Sequence, residues 1–116
     1  MEIEVYTTSR GNIFITMGRL EVELKREDAE RLKTLLELTD WLEGLVKLDR
    51  EKLEEFGEEM LALVTENRVE MDGREKGLVS YLMKGEYTKT TLRNILEVGM
   101  RANPQRTREI ANKFTS

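Results

Sequence analysis

Residues 2–8, Glu-Ile-Glu-Val-Tyr-Thr-Thr, set polar and apolar side chains in turn and draw on β-branched and aromatic residues. Alternation with period two is the mark of a half-buried strand, with Ile3 and Val5 on one face. Ser9-Arg10-Gly11-Asn12 supplies a hairpin connection, because Gly11 and Asn12 tolerate positive φ. The return strand is Ile13-Phe14-Ile15-Thr16-Met17, Gly18-Arg19 bends the chain, and Leu20-Glu21-Val22-Glu23-Leu24 alternates again. The pattern predicts a three-stranded antiparallel meander. A helix is expected to cover its Leu20/Val22/Leu24 face, since so small a sheet is not stable alone.

The period then changes from two to three and four. A helix is predicted from near Glu27-Asp28, whose charges suit the positive end of a helix. Ala29, Leu32, Leu35, Leu36, Leu42, Leu45 and Val46 follow helical spacing, and a second row, Leu38, Trp41, Leu45 and Leu48, runs beside the first. Packing within the chain is the simpler use of so wide a stripe, and the second row is also a candidate homodimer contact. Asp49 is placed to cap the next helix, with Leu48 and Leu53 at the positions of a hydrophobic staple. Leu53, Phe56, Met60 and Val64 form its buried row. Gly57, unfavourable inside a helix, marks a close crossing.

Asn67 to Gly73 breaks the pattern, and Met71-Asp72-Gly73 reads as a turn. The expected organisation is therefore a β-meander with two helices over residues 1–73 and a three-helix module over 74–116. In the second module Leu78, Val79 and Leu82 predict a short helix closed by Gly85. Thr88 caps the next, with Leu92, Ile95, Leu96 and Gly99 inward. Asn103-Pro104 is the clearest start signal in the chain, an N-cap followed by proline in the first turn. Behind it, Thr107, Ile110, Ala111 and Phe114 fall at i, i+3, i+4 and i+7. The fold class expected is α+β.

Charge sharpens this division. Residues 74–116 hold nine Lys/Arg against four Glu, a balance of +5, while residues 1–73 hold ten basic and nineteen acidic side chains, or −9; together they give the net −4. Such asymmetry fits a part that binds polyanions, and equally two modules that attract each other. The chain has no cysteine and no histidine. That removes disulfides, thiolate chemistry, the usual general base near neutral pH and the commonest metal ligand. No P-loop, GxGxxG or HExxH is present, so no catalytic residue, cofactor or metal site is expected. Apolar runs are only a few residues long and the N-terminus lacks the form of a signal peptide; no membrane association and a cytoplasmic location are expected.

The run from Leu78 to Leu92, with Gly85 closing one helix and Tyr87-Thr88 opening the next, resembles the start of helix-turn-helix and winged-helix DNA-binding domains. Arg106-Thr107-Arg108-Glu109-Ile110-Ala111 is similar to the start of many recognition helices in those families. The resemblance covers about a third of the chain. It implies a nucleic-acid-binding protein, with DNA favoured over RNA, and a regulatory role.

The residues support the same expectation in chemical terms. With Thr107, Ile110, Ala111 and Phe114 turned inward, Gln105, Arg106, Arg108, Asn112 and Lys113 project from the last helix. Arg pairs with guanine, and Asn or Gln with adenine, in the major groove. Lys89, Arg93 and Arg101 are candidates to neutralise phosphates. The alternative is a non-enzymatic inhibitor or adaptor that binds another protein. It would act through an acidic face at Glu51, Glu54, Glu55 and Glu58, or through Trp41 and its neighbours. In size and charge the chain resembles small acidic accessory proteins of phages and plasmids, including anti-CRISPR proteins. A third, fainter resemblance links Thr90-Thr91-Leu92-Arg93-Asn94-Ile95-Leu96 to the small helical subunit of type III CRISPR complexes.

Overall fold

The computed structural model describes residues 2–116 and has the α+β fold, three strands followed by five helices. The strands are β1 (Ile3–Thr7), β2 (Ile13–Met17) and β3 (Leu20–Leu24), paired antiparallel in the order β1-β2-β3. The helices are α1 (Arg26–Leu45), α2 (Arg50–Glu66), α3 (Gly73–Met83), α4 (Lys89–Ala102) and α5 (Pro104–Thr115). The chain divides into two compact units, Met1–Glu37 and Leu38–Ser116. The boundary expected at residue 73 is thus displaced. The reason is that α2 packs against α4 and α5, so the acidic helix and the basic tail share one core.

In the first unit the hairpin loop is closed by Thr8, whose amide donates to the Asn12 carbonyl at 3.0 Å and whose hydroxyl accepts from the Asn12 amide at 3.2 Å. Gly11 sits at φ +86°, a conformation other residues rarely adopt. Asn12 then reaches forward: its side-chain oxygen accepts the Arg26 amide at 3.1 Å, satisfying a donor at the start of α1. The register aligns Ile3–Met17–Leu20, Val5–Ile15–Val22 and Thr7–Ile13–Leu24 across the sheet. The last row is the best covered, with Ile13 buried and Leu24 half-buried although its Thr7 is exposed; Ile15 and Met17 of the central strand are half-buried as well. The expected helical cover is absent from the other two rows: Ile3 is 63% exposed, Val5 60%, Leu20 58% and Val22 39%. Alternation identified the apolar face correctly. It carried no information on whether this chain covers that face.

The second unit is the end of α1 with α2 to α5. Its core is built from Trp41, Leu42 and Leu45 of α1, Phe56, Met60 and Leu63 of α2, Leu92, Ile95 and Leu96 of α4, and Ile110, Ala111 and Phe114 of α5, all buried. Phe56 and Phe114 meet edge to face, with ring centroids 5.7 Å apart, a favoured aromatic geometry. The second row of α1 is consumed here. Leu38, Trp41 and Leu45 are buried, so this row presents no face to a second copy, and Trp41 offers none to a partner.

Capping sets where each helix begins. Asp49 accepts from the Lys52 amide at 2.8 Å, as its position predicts. Asp72, read from sequence as part of a turn, in fact opens α3 with a capping box: it accepts from the Glu75 amide at 2.8 Å while Glu75 reaches back to the Asp72 amide. Thr88 caps α4 by accepting from Thr91. Asn103 is the single residue between α4 and α5; its amide donates to the Gly99 carbonyl at 2.8 Å and its side chain accepts from the Arg106 amide at 3.0 Å. One residue thus ends one helix and starts the next, which fixes the direction of α5.

Candidate functional site

The cap at Asn103 and the buried Thr107, Ile110, Ala111 and Phe114 settle which side of α5 faces water. Gln105, Arg106, Arg108, Asn112 and Lys113 are exposed, as expected. Their surroundings are less electropositive than the sequence suggests. Glu59 of α2 lies between two of the cations: Lys113 contacts both its carboxylate oxygens at 3.1 Å, and Arg106 approaches at 3.8 Å. Arg106 also reaches Glu109 at 3.3 Å. Asn112 accepts the indole N–H of Trp41 at 3.0 Å, so part of its hydrogen-bonding capacity is already committed.

The remaining predicted cations are spread over other pairs. Arg93 lies 3.5 Å from Glu97 on its own helix, and Arg101 is tied to Glu75 of α3. Lys89 stands exposed at the first residue of α4. The structure therefore brings Arg106 and Lys113 together at one carboxylate and places Arg93 and Arg101 in separate ion pairs.

The acidic candidates form a different surface. Glu51, Glu54, Glu55 and Glu58 are all exposed on α2. Glu54 is 3.4 Å from Arg50 and Glu55 is 3.5 Å from Lys52, both spacings of one helical turn. Glu54 and Glu58 also border a groove of about 290 Å³ between α2 and the connection from α3 to α4. Arg50, Gly57 and Leu61 of α2 line it, with Leu82, Met83, Lys84 and Tyr87 opposite, so two cations share it with the two carboxylates. Gly57 permits the approach. A side-chain carbon there would stand 3.2 Å from the Tyr87 ring, so the sequence was right to mark this glycine as a crossing. Arg50 braces one end by donating to the Gly85 carbonyl at 3.3 Å, and Gly85 holds φ +83°.

Met83 and Tyr87 are the groove residues that sequence reasoning missed. Met83 is 72% exposed at the end of α3, an apolar side chain held in water. Tyr87 has its hydroxyl held above the ordinary tyrosine value, first by burial and then by the Glu54 carboxylate, with Glu58 adding to the effect and Arg50 opposing it. Only an apolar residue just past the helical stripe, beside a glycine, pointed to this corner in the sequence.

Among the described residues no cluster of three or more acidic side chains is placed to hold a metal ion, and no helix is long and apolar enough to cross a membrane. Comparison with protein families, with characterised proteins and with solved structures finds no match to this chain.

Proposed function

We propose that this chain is a non-enzymatic protein-binding module, an adaptor or inhibitor, that takes a basic segment of its partner into the groove between α2 and the α3–α4 connection. The observation that carries this reading is the placing of Glu54 and Glu58 beside the side chains of Leu61 and Met83 around one groove, in which Arg50 is already paired with Glu54 and Lys84 stands on the opposite side. A lysine or arginine is itself divided in that way. Its aliphatic stem lies along apolar surface while its charged head seeks carboxylates. An inhibitor that sits in another protein's nucleic-acid channel would use the same chemistry, since such channels are lined by Lys and Arg.

The test is a titration with a fluorescent peptide of alternating Lys and Leu, at low and at physiological salt. Glu54→Lys together with Glu58→Lys should weaken binding by at least about tenfold, roughly 1.4 kcal/mol. Met83→Ser should also weaken it, because the apolar lip is lost and no charge is added. Arg106→Ala with Arg108→Ala should change little. Binding that responds to the charge reversal and ignores Met83→Ser would mean general attraction to an acidic surface, and the groove assignment would fall.

A second reading keeps α5 as a nucleic-acid-binding helix. It is favoured by the exposure of the ion-paired cations: the Arg106 side chain is 51% exposed and that of Lys113 63%. Exposed pairs of this kind contribute about 0–1 kcal/mol, so a phosphate can displace Glu59 at small cost. Duplex DNA contacted through five to eight phosphates would bind with a log–log salt slope of roughly −5 to −7. Absence of binding to any duplex at low salt removes this reading.

A further inference from the structure

Among the described residues, four of the six exposed large apolar side chains of the first unit, Ile3, Val5, Leu20 and Val22, lie on one face of the N-terminal sheet. Of the nine side chains in the three aligned rows, Thr7 alone is polar, and the two open rows are Ile3–Met17–Leu20 and Val5–Ile15–Val22. The opposite face carries Glu4, Glu21 and Glu23 together with Tyr6 and Phe14, whose rings stack at 5.2 Å. Every charge in the strands therefore points away from the apolar face. We infer that this face is a self-association surface, on which the same face of a second copy seats to form a two-layered sandwich.

Three physical arguments select a second copy as the occupant. Two sheets stacked about 10 Å apart bury both apolar faces at once. A two-fold interface must be complementary to itself. This face meets that condition because a copy brings no charge against its own charge, the glutamates of both copies lying on the outer sides. The size of the face then sets the strength. Three strands about 4.8 Å apart, with two open rows spanning about three residues that rise about 3.3 Å each, make an open face of roughly 14 by 10 Å, or roughly 140 Å² seen flat-on. A standard interface takes roughly 800 Å² from each partner, so this dimer belongs at the weak, reversible end.

Equilibrium sedimentation of the full chain, from low-micromolar to near-millimolar concentration, tests the proposal. The weight-average mass should rise with concentration toward twice that of the monomer. Val5→Lys and Leu20→Lys alter side chains that are already more than half exposed in the single chain, so both should fold with unchanged helical circular dichroism. Each should weaken association by at least about tenfold, because a lysine in the sandwich is a buried charge without a partner. Glu4→Gln and Glu21→Gln, on the outer face, should leave the dimer intact. A chain that stays monomeric throughout overturns the proposal and leaves the face to a different protein. A dimer that persists undiminished in Val5→Lys and Leu20→Lys overturns it too, since a contact through the strand edges would behave that way.

Discussion

Trp41 donates its indole N–H to the side-chain oxygen of Asn112 at 3.0 Å, a bond between α1 and α5 that spans 71 residues of sequence. Trp41 is 6% exposed, so its N–H has little access to water if the acceptor is removed. Asn112→Ala should therefore destabilise the fold by about 1–2 kcal/mol, the cost of leaving a buried donor unmade. Chemical denaturation followed by tryptophan fluorescence measures this directly. Gln105→Ala, on the exposed side of the same helix, should stay within about 0.5 kcal/mol of the parent.

A second close pair lies where α4 and α5 cross. A side-chain carbon at Gly99 would stand 2.6 Å from the Thr107 hydroxyl oxygen and 2.5 Å from the end of Met60. Met60 can swing its terminal methyl away, but Thr107 is short and fully buried. Gly99→Ala should thus cost about 1–3 kcal/mol through overpacking, despite alanine's better helix propensity. The Thr107 hydroxyl is also buried without a hydrogen-bond partner. Thr107→Val keeps the shape and removes the unsatisfied group, so it should stabilise the fold by about 1 kcal/mol. Thermal unfolding of both variants checks the opposed signs.

Much of the secondary structure was legible because local rules sufficed. Asn103-Pro104 started a helix, Thr88 and Asp49 capped theirs, and the α5 stripe turned inward as spaced. What the sequence could not convey was which surfaces meet. The stripe containing Leu38, Trp41 and Leu45 announced that it needed cover, and both a subunit and a neighbouring helix satisfy that need equally well on paper. The excess of cations after residue 74 was real, but Glu59, 54 residues before Lys113, had to be brought beside it by the packing of α2 on α5 before two of those cations could share one carboxylate. The groove was hidden for a similar reason. Glu54 and Glu58 were visible as an acidic face, while Met83 and Tyr87 join them only through the close approach at Gly57.

The Tyr87 hydroxyl gives the groove a pH signature. Burial is the first cause of its raised pKa and Glu54 the second, so the neutral phenol is the form the fold prefers. The sign follows from linkage. Stability from this group is fully present below the ordinary tyrosine value near 10 and is lost as pH rises through the higher folded value. Phenolate absorbance, with Tyr87→Phe subtracted to isolate this residue from Tyr6 and Tyr81, should show a midpoint above that of a model tyrosine. Glu54→Gln with Glu58→Gln should lower the midpoint without restoring it, because burial remains. A full return would mean that the carboxylates alone hold the proton.

Glu59 offers the sharpest separation of the two functional readings, because it sits beside both Arg106 and Lys113 without being part of the groove. These pairs are at the surface, so Glu59→Gln should change stability by less than about 1 kcal/mol. Its electrostatic effect should be larger than its structural one. Removing the carboxylate leaves two half-exposed cations without their shared counter-charge, and the variant should elute from a heparin column at higher salt than the parent. Peptide binding at the groove should be unchanged, since Glu54, Glu58 and Met83 are untouched. If instead Glu59→Gln abolishes peptide binding while leaving heparin retention where it was, the carboxylate belongs to the partner surface, and the contact would have to be moved from the groove to the junction of α2 and α5.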